Sequence, residues 1–188
     1  MVAGVGGGGL ISGIAAAVKP RHPSVAVVGV ESASQPAAYL ARKSGHAKPI
    51  DLTAYKLDDG TTLKKKTIAD GISVSEVGKY TLPFLRDPAW VDEILTVQEG
   101  EIAKAIAVVL RKGKMLIEGA CATTVAALLN RDNQKLFEGK KVVLVLSGGN
   151  LDPARLAEII HWYEFSEFVK DNHQDPDEAW KKRPAPPA

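Results

Sequence analysis

Near its start the chain carries four consecutive glycines, Gly6-Gly7-Gly8-Gly9, between Val5 and the helix-forming pair Leu10-Ile11. Consecutive glycines let a backbone approach a phosphate closely, and a following helix offers unpaired N–H groups and a positive dipole end. Loops of this kind join a strand to a helix. The run therefore predicts that Met1-Val2-Ala3 is the end of a strand and that Ile11 to Val18 is a helix. Because so little precedes the loop, the sequence is expected to start inside a domain. The competing interpretation is a flexible turn or linker, which the apolar residues on both sides disfavour.

The same stretch fits a dinucleotide fingerprint. Gly4, Gly6 and Gly9 satisfy G-x-G-x-x-G, and Glu31 ends the next predicted strand about twenty residues on, where a ribose-binding acid belongs. Phosphate cradle and dinucleotide site are both open at this point.

Strands alternating with helices run through the rest of the chain and predict an α/β fold with a mostly parallel twisted sheet flanked by helices. Val25 to Val30 is an apolar, β-branched run of the kind buried in parallel sheets. A helix is expected from Gln35 to Lys43, closed by Gly45. Polar residues 46–66 include an Asp58-Asp59-Gly60 turn and the basic run Lys64-Lys65-Lys66. Glu93 to Val97 reads as a strand and Gln98 to Arg111 as a helix with Ile102, Ile106 and Val109 on one face, ended by Gly113. A helix of small residues follows from Gly119 to Asn130. Lys141 to Leu146 (KVVLVL) is the clearest candidate for a buried strand, and Pro153 opens a helix reaching about Tyr163. Residues 1–165 are expected to form one domain, incomplete at its N-terminus, and residues 166–188 a polar tail.

Composition narrows the function classes. Net charge is +2, from 24 basic and 22 acidic residues, which gives no reason to expect a nucleic-acid or membrane partner. Cys121 is the only cysteine, so neither a disulfide nor a cysteine-based zinc site can form within the chain, and a cytoplasmic setting is expected. The four histidines, His22, His46, His161 and His173, have no ligand spacing.

A second constellation lies after KVVLVL. Ser147-Gly148-Gly149-Asn150 would place the Ser147 hydroxyl at the carboxyl end of a parallel strand, where open α/β sheets bind ligands and where a hydroxyl can bond a heterocycle nitrogen. Alone, the tetrad is better read as a turn capping the next helix.

Five motifs then occur in order: Gly6-Gly7-Gly8-Gly9-Leu10, Val30-Glu31, Thr67-Ile68-Ala69-Asp70-Gly71-Ile72, Ile117-Glu118-Gly119-Ala120 and Leu146-Ser147-Gly148-Gly149-Asn150. Over roughly residues 1–160 their order and spacing resemble the threonine/serine dehydratases and serine racemases, which are fold-type II pyridoxal-phosphate enzymes. The resemblance implies pyridoxal 5'-phosphate as cofactor, with Gly6, Gly7, Gly8, Gly9 and Leu10 at its phosphate. It puts Ser147 at the pyridine nitrogen, and Gly71 and Glu118 near the ring. A serine there would not hold the nitrogen protonated, so the ring is a weaker electron sink, which suits elimination better than transamination. The implied reaction converts threonine or serine into a 2-oxo acid and ammonia, with racemisation as the alternative.

Glu31 matches a divalent-cation ligand of the racemase-like members, but Ala37 stands where the companion acid is expected, so no metal is assigned. Cys121 reads as a small buried residue. In the family the catalytic lysine lies upstream of the glycine loop. Lys19, Lys43, Lys48 and the Lys64–Lys66 run read as solvated side chains, and no catalytic residue is assigned. The chain alone is accordingly expected to be inactive, and to self-associate or pair with a complementing N-terminal half. A dinucleotide-binding fragment and a non-catalytic partner subunit are the other readings.

Overall fold

A computed structural model describes residues 1–45, 48–54 and 66–171. Three parallel strands form the sheet: β1 (Val2–Gly4), β2 (Val28–Ser32) and β3 (Glu93–Val97), in the order β1-β2-β3. Val2 pairs with Val28, and Val28 with Glu93. Between β1 and β2 runs α1 (Gly9–Val18); between β2 and β3 come α2 (Ala37–Ser44) and α3 (Leu82–Arg86). Beyond β3 the chain is helical: α4 (Glu99–Val108), α5 (Gly119–Leu129), the short α6 (Gln134–Phe137) and α7 (Pro153–Asp171).

Alternation along the strands explains the layers. Val2, Val28, Val30 and Val97 point to one face, where they pack with Ile102, Ile106 and Val125 of α4 and α5. Ala3, Val27 and Ile94 point to the other, against Ile11 and Ala15 of α1 and Ala38 and Ala41 of α2. Both faces are covered, which is the usual fate of a parallel sheet and the reason its strands read as apolar runs.

Helix ends follow local chemistry. Gln98 and Glu101 form a capping box at the start of α4, with the Gln98 N–H donating to Glu101 Oε2 at 2.7 Å. Gly45 closes α2 in the left-handed region at φ 68. The predicted helix to Arg111 ends as an α-helix at Val108 and continues as a wider π turn over Val109–Gly113.

Three expectations are corrected. The strand expected over Val25 to Val30 begins only at Val28, because its partner β1 begins at Val2. Lys141 to Leu146 is not a buried strand: it makes one parallel bridge, Leu144 to Val2, and Val143 is 54% exposed. Its partner β1 is three residues long, and among the described residues no strand flanks its outer side. The helix opened by Pro153 runs on to Asp171, past its expected end near Tyr163. The Asp58-Asp59-Gly60 turn, Lys64, Lys65 and most of the expected tail lie outside the described residues. Among the described residues, no helix is long and apolar enough to cross a membrane.

Candidate cofactor site

The chain order around the sheet creates the site. From β1 the chain moves one way to β2 and β3, then returns to the other side of β1, where Val2 N donates to Val143 O at 2.8 Å and Val145 N to Val2 O at 2.9 Å. Ligands of open α/β sheets bind where strand order reverses in this way, beyond the carboxyl ends. Two segments leave the sheet at that point: the glycine loop after β1, and Ser147-Gly148 after the returning segment.

They meet at a cavity of about 240 Å³. Its lining contains Gly6, Gly7, Gly8, Gly9, Leu10, Gly71, Glu118 and Ser147, so every residue that the resemblance puts at the cofactor reaches one concavity. Gly4, Ile72 and Ala120 complete it. These three were not assigned to the cofactor, although Gly4 belongs to the dinucleotide fingerprint and Ile72 and Ala120 end two of the five motifs.

The glycines differ in function. Gly8 is the residue before α1 and has φ 88, a conformation that a side chain makes costly. At Gly6 a methyl group would come within 3.1 Å of Ile72 Cα, so the loop and the Gly71–Ile72 wall are in close contact. At Gly7 and Gly9 a methyl group would meet nothing within 4 Å. Both residues line the cavity beside the first turn of α1, whose N–H groups have no acceptor within the helix. An anion fits such a cradle, held by backbone donors and the helix dipole.

The opposite wall is set by α5. Glu118 precedes its first residue, and its N–H donates to Gly148 O at 3.1 Å. The thiol of Cys121 lies against Gly148 O at 3.0 Å and is 3% exposed, and burial pushes it above the usual thiol range. A small buried residue was expected there. Ser147 is exposed and lines the cavity.

Glu31 is elsewhere. It is 1% exposed, and its two carboxylate oxygens accept the N–H groups of Ala38 at 2.9 Å and Tyr39 at 2.8 Å, in the first turn of α2. Burial raises its pKa to about 8, against the lowering effect of those two bonds. Glu31 therefore closes the N-terminus of α2, and it does not line the cavity as a ribose-binding acid would. The sequence could not distinguish these uses, because both put an acid at a strand end.

The lysine reading needs one correction. Lys19 is not solvated: its side chain is 10% exposed and pairs with Asp92 at 2.6 Å, at the end of α1 away from the glycine loop. Lys43, Lys48 and Lys66 are exposed, as are His22 and His161; His46 and His173 lie outside the described residues. Among the described residues, no lysine lines the cavity.

A parallel sheet with a glycine loop and a hydroxyl brought together at its switch point has the arrangement of an α/β ligand-binding domain. Residues 1–148 match the family model described as "Pyridoxal-phosphate dependent enzyme", and the chain belongs to that family. It is 42% identical over 156 residues to the L-threonine ammonia-lyase of Geobacter sulfurreducens, covering 83% of this chain and 35% of that enzyme. Against the Thermotoga maritima L-threonine ammonia-lyase, identity is 39% over 161 residues, 86% of this chain and 36% of the relative. Among solved structures, the serine racemase of Dictyostelium discoideum superposes with a TM-score of 0.66 at 32% identity, over 80% of this chain and 43% of that one. The chain thus spans little more than a third of the curated relatives named here.

Proposed function

We propose that this chain supplies the cofactor half-site of a pyridoxal-phosphate-dependent ammonia-lyase acting on threonine or serine. The convergence of the glycine loop, Gly71, Glu118 and Ser147 on one cavity carries this reading. In it, Gly6 to Leu10 hold the phosphate by backbone N–H groups and the α1 dipole. The Ser147 hydroxyl hydrogen-bonds the pyridine nitrogen, and Gly71 and Glu118 bound the ring. Bound pyridoxal phosphate supplies an electron sink that makes the α-proton of an amino acid labile. A serine hydroxyl bonds the nitrogen without protonating it, which moderates that sink and favours loss of a β-hydroxyl over transamination.

The proton acceptor is proposed to come from outside the described residues, since no lysine among them lines the cavity. We therefore read residues 1–188 as inactive by themselves and completed by a lysine-bearing segment outside them. The outer side of residues 142–146, which no described strand pairs and where Val143 is exposed, suits such a segment or self-association. Serine racemisation at the same site is the second reading, favoured by the Dictyostelium likeness. A cytoplasmic, reducing setting fits the buried lone thiol.

Release of a 2-oxo acid from L-threonine, L-serine and D-serine tests the reading, with the chain alone and with a family N-terminal segment co-expressed. Activity only in the mixture, on the L-amino acids, is expected. Turnover by the purified chain alone would overturn the half-site reading.

A further inference from the structure

The glycine loop is held on the side away from its cavity. Gly7 O accepts the Gly78 N–H at 3.0 Å and the hydroxyl of Thr81, yet neither Gly78 nor Thr81 lines the cavity. Gly78 O lies 3.0 Å from the same hydroxyl, so Thr81 bridges the two backbones, with its shorter contact to Gly7. The approach is close: a methyl group at Gly78 would fall 3.2 Å from Gly7 O and 3.0 Å from Thr81 Oγ1. At Gly8 it would fall 2.9 Å from Thr81 Cβ.

A trans peptide is planar, and its C=O and N–H point in opposite directions. Fixing Gly7 O toward Thr81 therefore aims the Gly8 N–H away from Thr81, toward the cavity that Gly7 and Gly8 line. Between two glycines this peptide could flip at little steric cost. A flipped plane would present a carbonyl oxygen to the cavity and repel an anion.

We propose that Thr81 is a positioning residue for anion binding: with the Gly78 N–H, its hydroxyl locks the Gly7–Gly8 peptide so that the Gly8 N–H is pre-aimed at a phosphate oxygen. This rests on the cofactor reading above and adds the residue that organises its phosphate end. The occupant is a phosphate monoester, and Thr81 acts on the phosphate end rather than on the ring.

The test is calorimetric titration of the 188-residue chain and its Thr81→Val and Thr81→Ser variants. The probes are pyridoxine 5'-phosphate and pyridoxine. Both lack the aldehyde, so neither can form an imine with a lysine, and they differ only in the phosphate. Valine keeps the shape and removes the donor; serine keeps the donor. Thr81→Val is expected to weaken the phosphorylated probe about fivefold, the effect of one net hydrogen bond, and to change pyridoxine less than about twofold. Thr81→Ser is expected to restore phosphate affinity. Equal weakening of both probes by valine would reduce Thr81 to a structural role and overturn the proposal. So would unchanged affinity in Thr81→Val, or failure of serine to rescue. Loss of both probes by the unsubstituted chain would instead overturn the cofactor reading, and this inference with it.

Discussion

Glu118 lies directly over Gly148: a methyl group at Gly148 would fall 1.8 Å from Glu118 Oε1 and 2.3 Å from its Cδ. The missing side chain at Gly148 is what lets the Glu118 carboxylate turn over the loop after Leu146 and line the cavity. In Gly148→Ala the flexible Glu118 side chain must leave, which costs little folding stability, less than about 1 kcal/mol. Pyridoxal phosphate affinity should nevertheless fall, while the melting curve stays close to that of the parent. A thermal melt and a cofactor titration on one sample check this, and unchanged affinity would remove Glu118 from the site.

Gly119, one residue on, should behave in the opposite way. A methyl group there would meet Ile68 O at 2.1 Å and Ile68 C at 2.6 Å, and these are backbone atoms that cannot step aside. Gly119→Ala is expected to cost about 3 kcal/mol, at the upper end of overpacking effects. Denaturant unfolding measures it. A loss below 1 kcal/mol would mean that the strip from Ile68 to Ile72 is not packed on α5.

Glu31 gives the fold a pH dependence with an unusual sign for a carboxylate. Its folded pKa is raised from the ordinary 4.5 to about 8, chiefly by burial. Between those values the folded chain binds a proton that the unfolded chain does not, so stability falls as pH rises from about 5 to 8. The drop is on the order of a few kcal/mol. Glu31→Gln should flatten the profile across that window in denaturant unfolding at stepped pH. A parent profile that is flat or rising there would show that the two backbone bonds outweigh burial.

Glu99 ties the cavity wall to the sheet. Its Oε2 accepts the Ile68 N–H at 2.7 Å, and its Oε1 accepts the Ser32 hydroxyl at 2.5 Å, at the carboxyl end of β2. Three residues further on, the strip opens into the Gly71–Ile72 wall. Glu99→Ala leaves both donors without this acceptor, at a cost of about 1–3 kcal/mol. It should speed hydrogen exchange over residues 68–72 more than over α4 itself. Equal acceleration across both would mean a general loosening rather than a released wall.

How far the fold could be read from sequence follows from where its contacts lie. β2, β3 and the helices after them carry local signals: apolar runs, the capping pair Gln98 and Glu101, and Gly45 at a helix end. Gly6 to Gly9 are legible as a candidate cradle because close backbone approach to a phosphate demands adjacent glycines. Gly71, Glu118 and Ser147 are legible only through the order of the five motifs; all of these residues line one cavity. Failures came where a partner decided the outcome. Lys141 to Leu146 reads as a buried strand, yet a strand needs neighbours: only Leu144 bridges to β1, and no described strand flanks the other side. Lys19 reads as solvated because Asp92, 73 residues away, is invisible to local reasoning. The same distance problem hid Thr81, which braces Gly7 across 74 residues.

The cradle itself is tested most directly by titrating pyridoxal phosphate into the parent chain and into Gly7→Ala and Gly9→Ala. A methyl group at either position meets no protein atom within 4 Å, so both variants should fold as the parent does. Each methyl would instead be added to the lining of the cavity where the phosphate is proposed to sit. The account predicts saturable binding of one equivalent to the parent, weakened about tenfold or more in both variants with melting curves unchanged. No saturable binding to the parent, or equal affinity in all three, would contradict it.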